Sequence, residues 1–231
     1  MKVRARFTKL GRVRWTSHRD VARMWERALR RGRVPVAYTA GFSPRPQLSF
    51  GLALPTGCES VAEYLDIALA EPIDPDGLVA CVSPLLPDGV DVIAAAVGDA
   101  GAKSLQEEVS SCTWEIQVPG DPNALGAAIE RVLSAATLPV RRERKGRDVL
   151  DDLRPSVLAL SSTRAGPAAS MLVAELGTRP RGVRPAELAP AMGIELGVAR
   201  RTRQLIERDG SRWEPLMADH SGAAAVCERA S

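Results

Sequence analysis

The stretch KVRARFTKLGRVRWTSHRDVARMWERALRR, residues 2–31, decides how the fold begins. Apolar and basic residues alternate over its first positions, and a period of two predicts a half-buried β-strand. From Ser17 onward apolar residues recur at intervals of three and four, at Val21, Met24 or Trp25, Ala28 and Leu29. This period predicts an amphipathic helix that Ser17 caps and that ends near Gly32. The chain therefore opens with a strand and a helix.

Outward from this stretch, the pattern predicts two similar units. The first continues with strands at 34–39, 47–50, 61–69 and 90–96 and a helix at 75–85. The second has helices at 122–136 and 184–192, and strands at 113–118, 140–144, 157–160, 170–176 and 198–206. The order β-α-β-β-α-β is that of a ferredoxin-like, split βαβ domain. The expected fold class is therefore α+β with two tandem ferredoxin-like domains.

The expected domain boundaries follow from these elements. Residues 1–97 form the N-terminal domain with the basic helix, and a small-residue linker follows at 98–110. Residues 111–213 form the C-terminal domain. The small-residue tail at 214–231 is predicted to be disordered. This tandem order resembles the RAMP-type CRISPR RNA-processing proteins, a likeness of topology that does not by itself give a function.

Charge is sorted along the chain. Residues 1–50 hold 13 Lys or Arg and two acids, a net of +11, whereas residues 51–110 hold 11 Asp or Glu and one Lys, a net of −10. The whole chain has a formal net charge of only +3. Two interpretations are open: a basic surface that meets a polyanion, or two segments that fold together and neutralise each other.

The first predicted helix carries a row of arginines opposite its apolar stripe. The spacing of four, four and three places them along one face: Arg19, Arg23, Arg27 and Arg30. Glu26 is placed to form an i,i+4 ion pair with Arg30, and the other arginines are expected to bind phosphates or an acidic protein surface. The alternative is an ordinary solvated helix face.

The first strand adds Arg4 and Arg6 to the candidate binding residues. Both point away from the apolar face of the strand, toward the face that a ferredoxin-like sheet leaves open. The first and third strands are neighbours in that fold, so Arg4 or Arg6 could instead pair with Asp66. Whether these arginines are free or paired is left open at this point.

A loop between the predicted strands, residues 41–51, contains two prolines and is bracketed by glycines. We expect Phe42 and Phe50 to anchor it while Arg45 projects. A stiff loop loses little entropy on binding and suits recognition. The candidate recognition residues are Phe42, Ser43, Pro44, Pro46 and Ser49. The alternative is a proline-rich connection whose phenylalanines are buried.

His18 is a weak catalytic candidate, as a general base acting on a ribose hydroxyl with arginines around it. It could equally pack on Trp15 at the start of the helix. No other residue is assigned a catalytic role.

Four scattered cysteines and two histidines favour reduced thiols and no metal site, and no cofactor is expected. Without a long apolar stretch or a signal-peptide core, the chain is expected to be cytoplasmic, with no membrane partner.

Several long motifs resemble the radical SAM-linked protein family, a domain of unknown function. They are Ser17-His18-Arg19-Asp20, Gly41-Phe42-Ser43-Pro44-Arg45-Pro46, Leu48-Ser49-Phe50-Gly51, Ala53-Leu54-Pro55-Thr56-Gly57, Glu59-Ser60, Ala62-Glu63-Tyr64-Leu65-Asp66 and, in the second half, Asp152-Leu153-Arg154-Pro155. The family usually has Leu at position 19 and Lys or Arg at position 47, where this chain has Arg and Gln. The resemblance implies an accessory role beside a separate radical SAM enzyme, in RNA or ribosome modification.

The sequence therefore favours a binding module that holds RNA or a ribosomal component through its basic N-terminal surface and works with a radical SAM enzyme. The chain has no C-x-x-x-C-x-x-C motif, so it does not carry that cluster chemistry itself. Two alternatives remain: a metal-independent RNA endonuclease that uses His18, and an adaptor that binds only protein.

Overall fold

The alternating stretch at the start of the chain forms a strand, and the segment after it forms a helix. In the computed structural model, which describes residues 1–99, 101, 103–144, 146–166 and 169–216, β1 is Lys2–Lys9 and α1 is His18–Arg31. Ser17 caps α1, since its side chain accepts a hydrogen bond from the Asp20 amide, and the Gly32 amide donates to the Ala28 carbonyl at the other end. Both predictions are confirmed.

The chain divides into two units, residues 1–109 together with the chain from 206, and residues 110–205. In unit 1, β1 and α1 are followed by β2 Leu48–Phe50, β3 Glu59–Ala68, α2 Pro75–Val82, β4 Val92–Val97 and the short α3 Leu105–Glu108. β1 pairs with β4 on one side and β3 on the other, and β2 pairs with β3. All of these pairings are antiparallel.

The core of unit 1 lies between α1, α2 and the sheet. The alternating apolar residues of β1, Val3, Ala5 and Phe7, are buried in it. So is the apolar stripe of α1, and the ring centroids of Phe7 and Trp25 lie 5.1 Å apart in an edge-on arrangement. Because α1 buries this stripe, its opposite, arginine-bearing side faces away from the core.

Unit 2 repeats the alternation of strands and helices. Its elements are β5 Val109–Pro119, α4 Pro122–Ser134, β6 Pro139–Arg144, β7 Arg147–Asp152, β8 Val157–Gly166, β9 Ala169–Gly177, α5 Pro185–Met192 and β10 Ala199–Arg208. The strand order is β10-β5-β9-β8, and β6 and β7 form a separate two-stranded sheet. β11 Ser211–Trp213 then returns along the end of β10. The whole is a mixed α+β fold with a largely antiparallel sheet, as the sequence predicts.

Two predicted strands differ in the structure. Residues 34–39 form only isolated bridges, Val36 with Leu69 and Tyr38 with Pro46, because Pro35 has no amide donor for a ladder. Residues 140–144 are extended, but they pair with β7 and lie outside the main sheet. The partner strand β7 comes from residues 147–152, for which no strand was predicted.

The expected linker and tail also differ in detail. Residues 98–110 contain α3, and residues 206–213 group with unit 1. At the start of the predicted disordered tail, residues 214–216 are placed and make contacts, while 217–231 lie outside the described residues. Along the described part of the chain, no helix has the length and apolar character needed to span a membrane.

Candidate nucleic-acid interface

The arginine face of α1, defined as Arg19, Arg23, Arg27 and Arg30, is exposed at all four positions. Among the described residues, only Arg23 has an ion pair, with its Nη1 3.6 Å from the Asp20 Oδ1. That pair is itself half exposed, and an exposed pair contributes little to stability. The other three guanidinium groups of this face therefore have no carboxylate partner in the part of the chain that the structure describes.

Apart from the exposed Asp20–Arg23 pair, the two acids of α1 form no ion pair with this face within the described residues. The Ser17 hydroxyl donates to Asp20 Oδ2 at 2.7 Å, and this hydrogen bond lowers the pKa of Asp20, with smaller contributions from Arg23 and Arg19. Asp20 is thus occupied at the helix N-terminus, where a carboxylate is favourable. The predicted Glu26–Arg30 ion pair is wrong, since the described residues hold no such pair.

The basic character continues into the segment after α1. Residues 27–58 contain five arginines and not one Asp or Glu. The arginines are Arg27, Arg30, Arg31, Arg33 and Arg45, and all five are exposed. Such a run has no carboxylate of its own with which its arginines could pair, so its local charge is positive.

The β1 arginines are paired instead. Arg4 is 7% exposed and holds Asp66 with two hydrogen bonds, from Nε to Oδ1 at 2.6 Å and from Nη2 to Oδ2 at 2.9 Å. Lys2 Nζ lies 3.6 Å from the same carboxylate. The register of β1 and β3 places Arg4 directly opposite Asp66, which is the pairing the sequence left open.

Arg6 is also engaged. Its Nε donates to the Val61 carbonyl at 3.1 Å, its Nη1 binds Glu214 Oε2 at 3.1 Å, and its guanidinium lies 5.9 Å from the centre of the Tyr64 ring. The chain after β11 covers this side of the sheet, because Arg4 Nη1 also donates to the Pro215 carbonyl. The expectation of an open sheet face is therefore wrong at Arg4 and Arg6.

Both interpretations of the charge sorting thus apply, to different surfaces. On the sheet, acids of the second block pair with bases of the first, as Asp66 does with Arg4 and Glu59 does with Arg14. On α1 no such pairing occurs for Arg19, Arg27 or Arg30 within the described residues. The candidate interface is therefore the helix face and the loop that follows it, without the β1 arginines.

The loop that carries Arg45 is an ordered hairpin. The Thr39 amide donates to the Arg45 carbonyl at 2.9 Å, and the Arg45 amide donates to Thr39 Oγ1 at 3.0 Å. Below this, the Gln47 side chain donates to the Tyr38 carbonyl at 3.1 Å. Gly41, with φ of +125°, permits the bend at the tip. The loop is therefore held at its base and presents residues 40–44.

The predicted anchors of this loop behave differently. Phe50 is partly buried and its ring packs edge-on against His18, with centroids 5.1 Å apart. Phe42 is fully exposed at the tip, so the expectation that it anchors the loop is wrong. Of the other four recognition candidates, three are exposed, Ser43, Pro44 and Ser49, and Pro46 is half-buried. The predicted binding residue Arg45 is also exposed.

His18 is exposed at the start of α1. The ring it contacts is that of Phe50, whereas Trp15 lies against Arg14, at 5.3 Å from guanidinium carbon to ring centre. Within the described residues, His18 has no hydrogen bond to a second titratable side chain, and no group of three or more His, Cys, Asp or Glu is placed to hold a metal ion. The described residues therefore provide no second catalytic candidate for the endonuclease hypothesis.

The motif in the second half is structural. Asp152 Oδ1 accepts hydrogen bonds from the Leu138 and Arg154 amides, which lowers the pKa of this carboxyl. Arg154 donates to the carbonyls of Leu133 and Ala135 at the end of α4. The pair therefore ties the end of α4 to the segment after β7 and satisfies carbonyls that the helix leaves unpaired.

The residues predicted to bind do not include Tyr38, which is exposed at the base of the hairpin in the candidate interface. The signal that could have found it is the acid-free run 27–58, which contains Tyr38 together with the exposed arginines. Within the described residues no disulfide joins Cys58, Cys81 or Cys112, and Cys227 lies outside those residues.

Residues 2–185 match a family profile whose description is "Uncharacterized protein conserved in bacteria (DUF2344)". The chain belongs to this family. The match includes α1, the hairpin and the Asp152 motif, so every part of the candidate interface lies in the segment shared with DUF2344. A search of the curated proteins gives no match.

A similar fold occurs in a solved structure titled "Crystal Structure of a Cbf5-Nop10-Gar1 Complex". The identity is 11% and the TM-score is 0.50, over 87% of this chain and 48% of that chain. This DUF2344 chain thus spans about half the length of the chain it matches. At this identity the likeness concerns the fold alone.

Proposed function

We propose that this DUF2344 protein is a non-catalytic module that binds RNA, through the arginine face of α1. The observation that carries the proposal is that Arg19, Arg27 and Arg30 are exposed and have no carboxylate partner among the described residues. Like charges three and four residues apart on a helix repel one another, so an external anion that lies between them stabilises the folded chain. Guanidinium groups bind phosphate with paired, directional hydrogen bonds.

The dimensions of the face suit an extended polyanion. From Arg19 to Arg30 the helix rises about 16 Å, at about 1.5 Å per residue. A row of cations of this length follows several successive phosphates of a nucleic-acid backbone, whereas a single small anion would engage one or two of the guanidinium groups. RNA, free or as part of a ribosomal component, is the ligand we propose.

The partner that we propose is a separate radical SAM enzyme. The support is the resemblance of the motifs at 17–20, 41–51 and 53–66 to the radical SAM-linked proteins, together with the absence of the cluster cysteine motif from this sequence. In this proposal the DUF2344 protein positions RNA or a ribosomal component, and the enzyme supplies the chemistry.

We also propose that both units are ferredoxin-like, in a tandem, RAMP-like arrangement. Unit 1 has β4-β1-β3-β2 as its order of neighbours, and unit 2 has β10-β5-β9-β8. In both orders the strand at one edge, β4 or β10, comes latest in sequence of the four. Its neighbour, β1 or β5, comes first. The β6–β7 hairpin is an insertion between α4 and β8 in this interpretation.

The proposal is tested by fluorescence anisotropy of labelled ribosomal RNA fragments with the full chain at low salt. We expect the triple variant Arg19→Gln, Arg27→Gln, Arg30→Gln to bind RNA much more weakly than the wild type. Arg203→Gln, which changes an exposed arginine on β10, should keep the wild-type affinity. Exposed substitutions of this kind change stability by only about 0.5 kcal/mol, so both variants should fold. Equal affinity of the triple variant and the wild type would refute the role of α1.

A pull-down with the native protein distinguishes RNA binding from the alternative, an adaptor that binds only protein. We expect nuclease treatment to remove the material retained through the arginine face. A radical SAM enzyme that stays bound after nuclease treatment, and is lost from the triple variant, would instead assign α1 to a protein surface. RNA cleavage without divalent metal that is lost in His18→Ala would favour the endonuclease.

A further inference from the structure

The side chain of Phe42 is placed in water at the tip of the 38–46 hairpin. It is fully exposed, and within the described residues it has no ring contact. Burial of a phenylalanine stabilises a protein by about 1.5–3 kcal/mol, a contribution that this position forgoes. Trp15 is also exposed, but it differs because it lies against Arg14 and close to Gly57. An isolated, solvated ring is suited to an external flat group.

The hairpin that carries this ring is ordered before any ligand binds. Its base is fixed by the two hydrogen bonds between Thr39 and Arg45, at 2.9 and 3.0 Å. Pro44 and Pro46 each fix one backbone dihedral on the returning side. A ring presented by a pre-ordered loop loses less conformational entropy on binding than one on a flexible segment, which strengthens the interaction.

The surroundings of the ring are cationic and contain a second aromatic. Arg45 is exposed in the same hairpin, and the acid-free run from 27 to 58 supplies no carboxylate. Tyr38 is 52% exposed at the hairpin base. Aromatic side chains in a positive setting are the features with which proteins bind unpaired nucleotides: cations contact the phosphates and rings stack on the bases.

We infer that Phe42 stacks on an unpaired base of the RNA, so that the ligand of this protein is a single-stranded or looped RNA and not a continuous duplex. The inference rests on the proposed function, because α1 supplies the phosphate contacts. It adds to that function the class of RNA that is bound. In a duplex both faces of each internal base are already stacked, so Phe42 has no partner there.

The test compares binding of an unstructured oligouridylate of about 12 nucleotides with binding of a fully paired RNA duplex of similar length. The proteins are the wild-type full chain, Phe42→Ala, Phe42→Trp and, as a matched control, Leu158→Ala, which removes another exposed apolar side chain, on β8. We expect Phe42→Ala to weaken oligouridylate binding by about 5- to 150-fold, Phe42→Trp to restore it, and Leu158→Ala to leave it unchanged.

Two further readouts make the result specific. The salt dependence of binding should be the same for Phe42→Ala and the wild type, because no cation is removed. Ultraviolet crosslinking followed by mass spectrometry should find a uridine adduct on the tryptic peptide that contains Phe42. Duplex affinity should not change in Phe42→Ala.

The outcomes separate this inference from the proposed function. If the wild type binds neither RNA, the proposed function fails. If the wild type binds oligouridylate and Phe42→Ala binds it equally well, the inference is overturned while the role of α1 stands. If Phe42→Ala keeps RNA binding and loses a co-purified protein, the ring occupies a pocket of a protein partner, which also overturns the inference.

Discussion

In the proposed function, the salt dependence of RNA binding depends on how many arginines of α1 contact phosphates. Each phosphate contact contributes about 0.7 to the slope of log K against log salt for single strands and about 0.9 for duplexes. If all four residues of the arginine face, Arg19, Arg23, Arg27 and Arg30, contact phosphates, the wild-type slope is about −2.8 to −3.6. Its affinity then falls about 50- to 150-fold between about 50 mM and 200 mM salt.

The triple variant Arg19→Gln, Arg27→Gln, Arg30→Gln keeps one cation of this face. Its slope should be about −0.7 to −0.9, a loss of only about threefold over the same salt range. Fluorescence anisotropy titrations at several salt concentrations measure both slopes, and Arg203→Gln, which removes one exposed charge on β10, serves as the control. A wild-type slope near zero, or a slope that the triple substitution leaves unchanged, would refute the reasoning.

Three further predictions concern the fold. Asp66→Ala leaves a buried arginine without its carboxylate and should lower the free energy of unfolding by about 3–5 kcal/mol in urea titrations; a loss below about 1 kcal/mol would contradict the pairing. Gly89→Ala should destabilise by more than about 1–2 kcal/mol, because φ is +86° and a Cβ would lie 2.3 Å from a backbone oxygen, whereas Gly126→Ala, with open space in α4, should stabilise by about 0.5–1 kcal/mol. If both alanine variants shift the urea midpoint in the same direction, the backbone argument fails. The Asp151 pKa is lowered, mainly by its hydrogen bond from Arg142, so this carboxylate stabilises the fold above its unfolded pKa near 3.8 and less as the pH falls through the lower folded value. The difference in urea midpoint between the wild type and Asp151→Asn should therefore narrow below that pH, and a constant difference would count against the ion pair.

Local patterns allowed much of unit 1 to be predicted. The alternation in β1 and the spacing in α1 each depend only on neighbouring residues, so strand, helix and cap were predictable together. The Arg4–Asp66 pair needed one more step, the adjacency of β1 and β3, and remained one of two alternatives until the register was known.

Features that depend on distant parts of the chain were not predictable in this way. The return of Glu214 and Pro215 onto the β1 arginines joins residues more than two hundred positions apart, and no local pattern marks it. The pairing of β6 with β7 was also not predictable, because a pattern that predicts a strand does not identify the strand with which it pairs.

The exposure of Phe42 departs from the rule that large apolar side chains are buried. A phenylalanine in a loop stiffened by two prolines is expected to be a buried anchor, because the transfer of apolar side chains out of water is favourable. The structure exposes it. Departures of this kind are expected where a residue serves a partner, which is why the hairpin joins α1 in the candidate interface.

The central claim is that the guanidinium groups of α1 meet the RNA while those of β1 do not. Two-dimensional NMR of the arginine Nε–Hε groups, with RNA added stepwise to the full-length protein, observes both sets at once. We expect the resonances of Arg19, Arg27 and Arg30 to shift with added RNA and that of Arg4, held by Asp66, to stay in place. Binding of RNA that shifts Arg4 and leaves the three α1 resonances unmoved would contradict the claim.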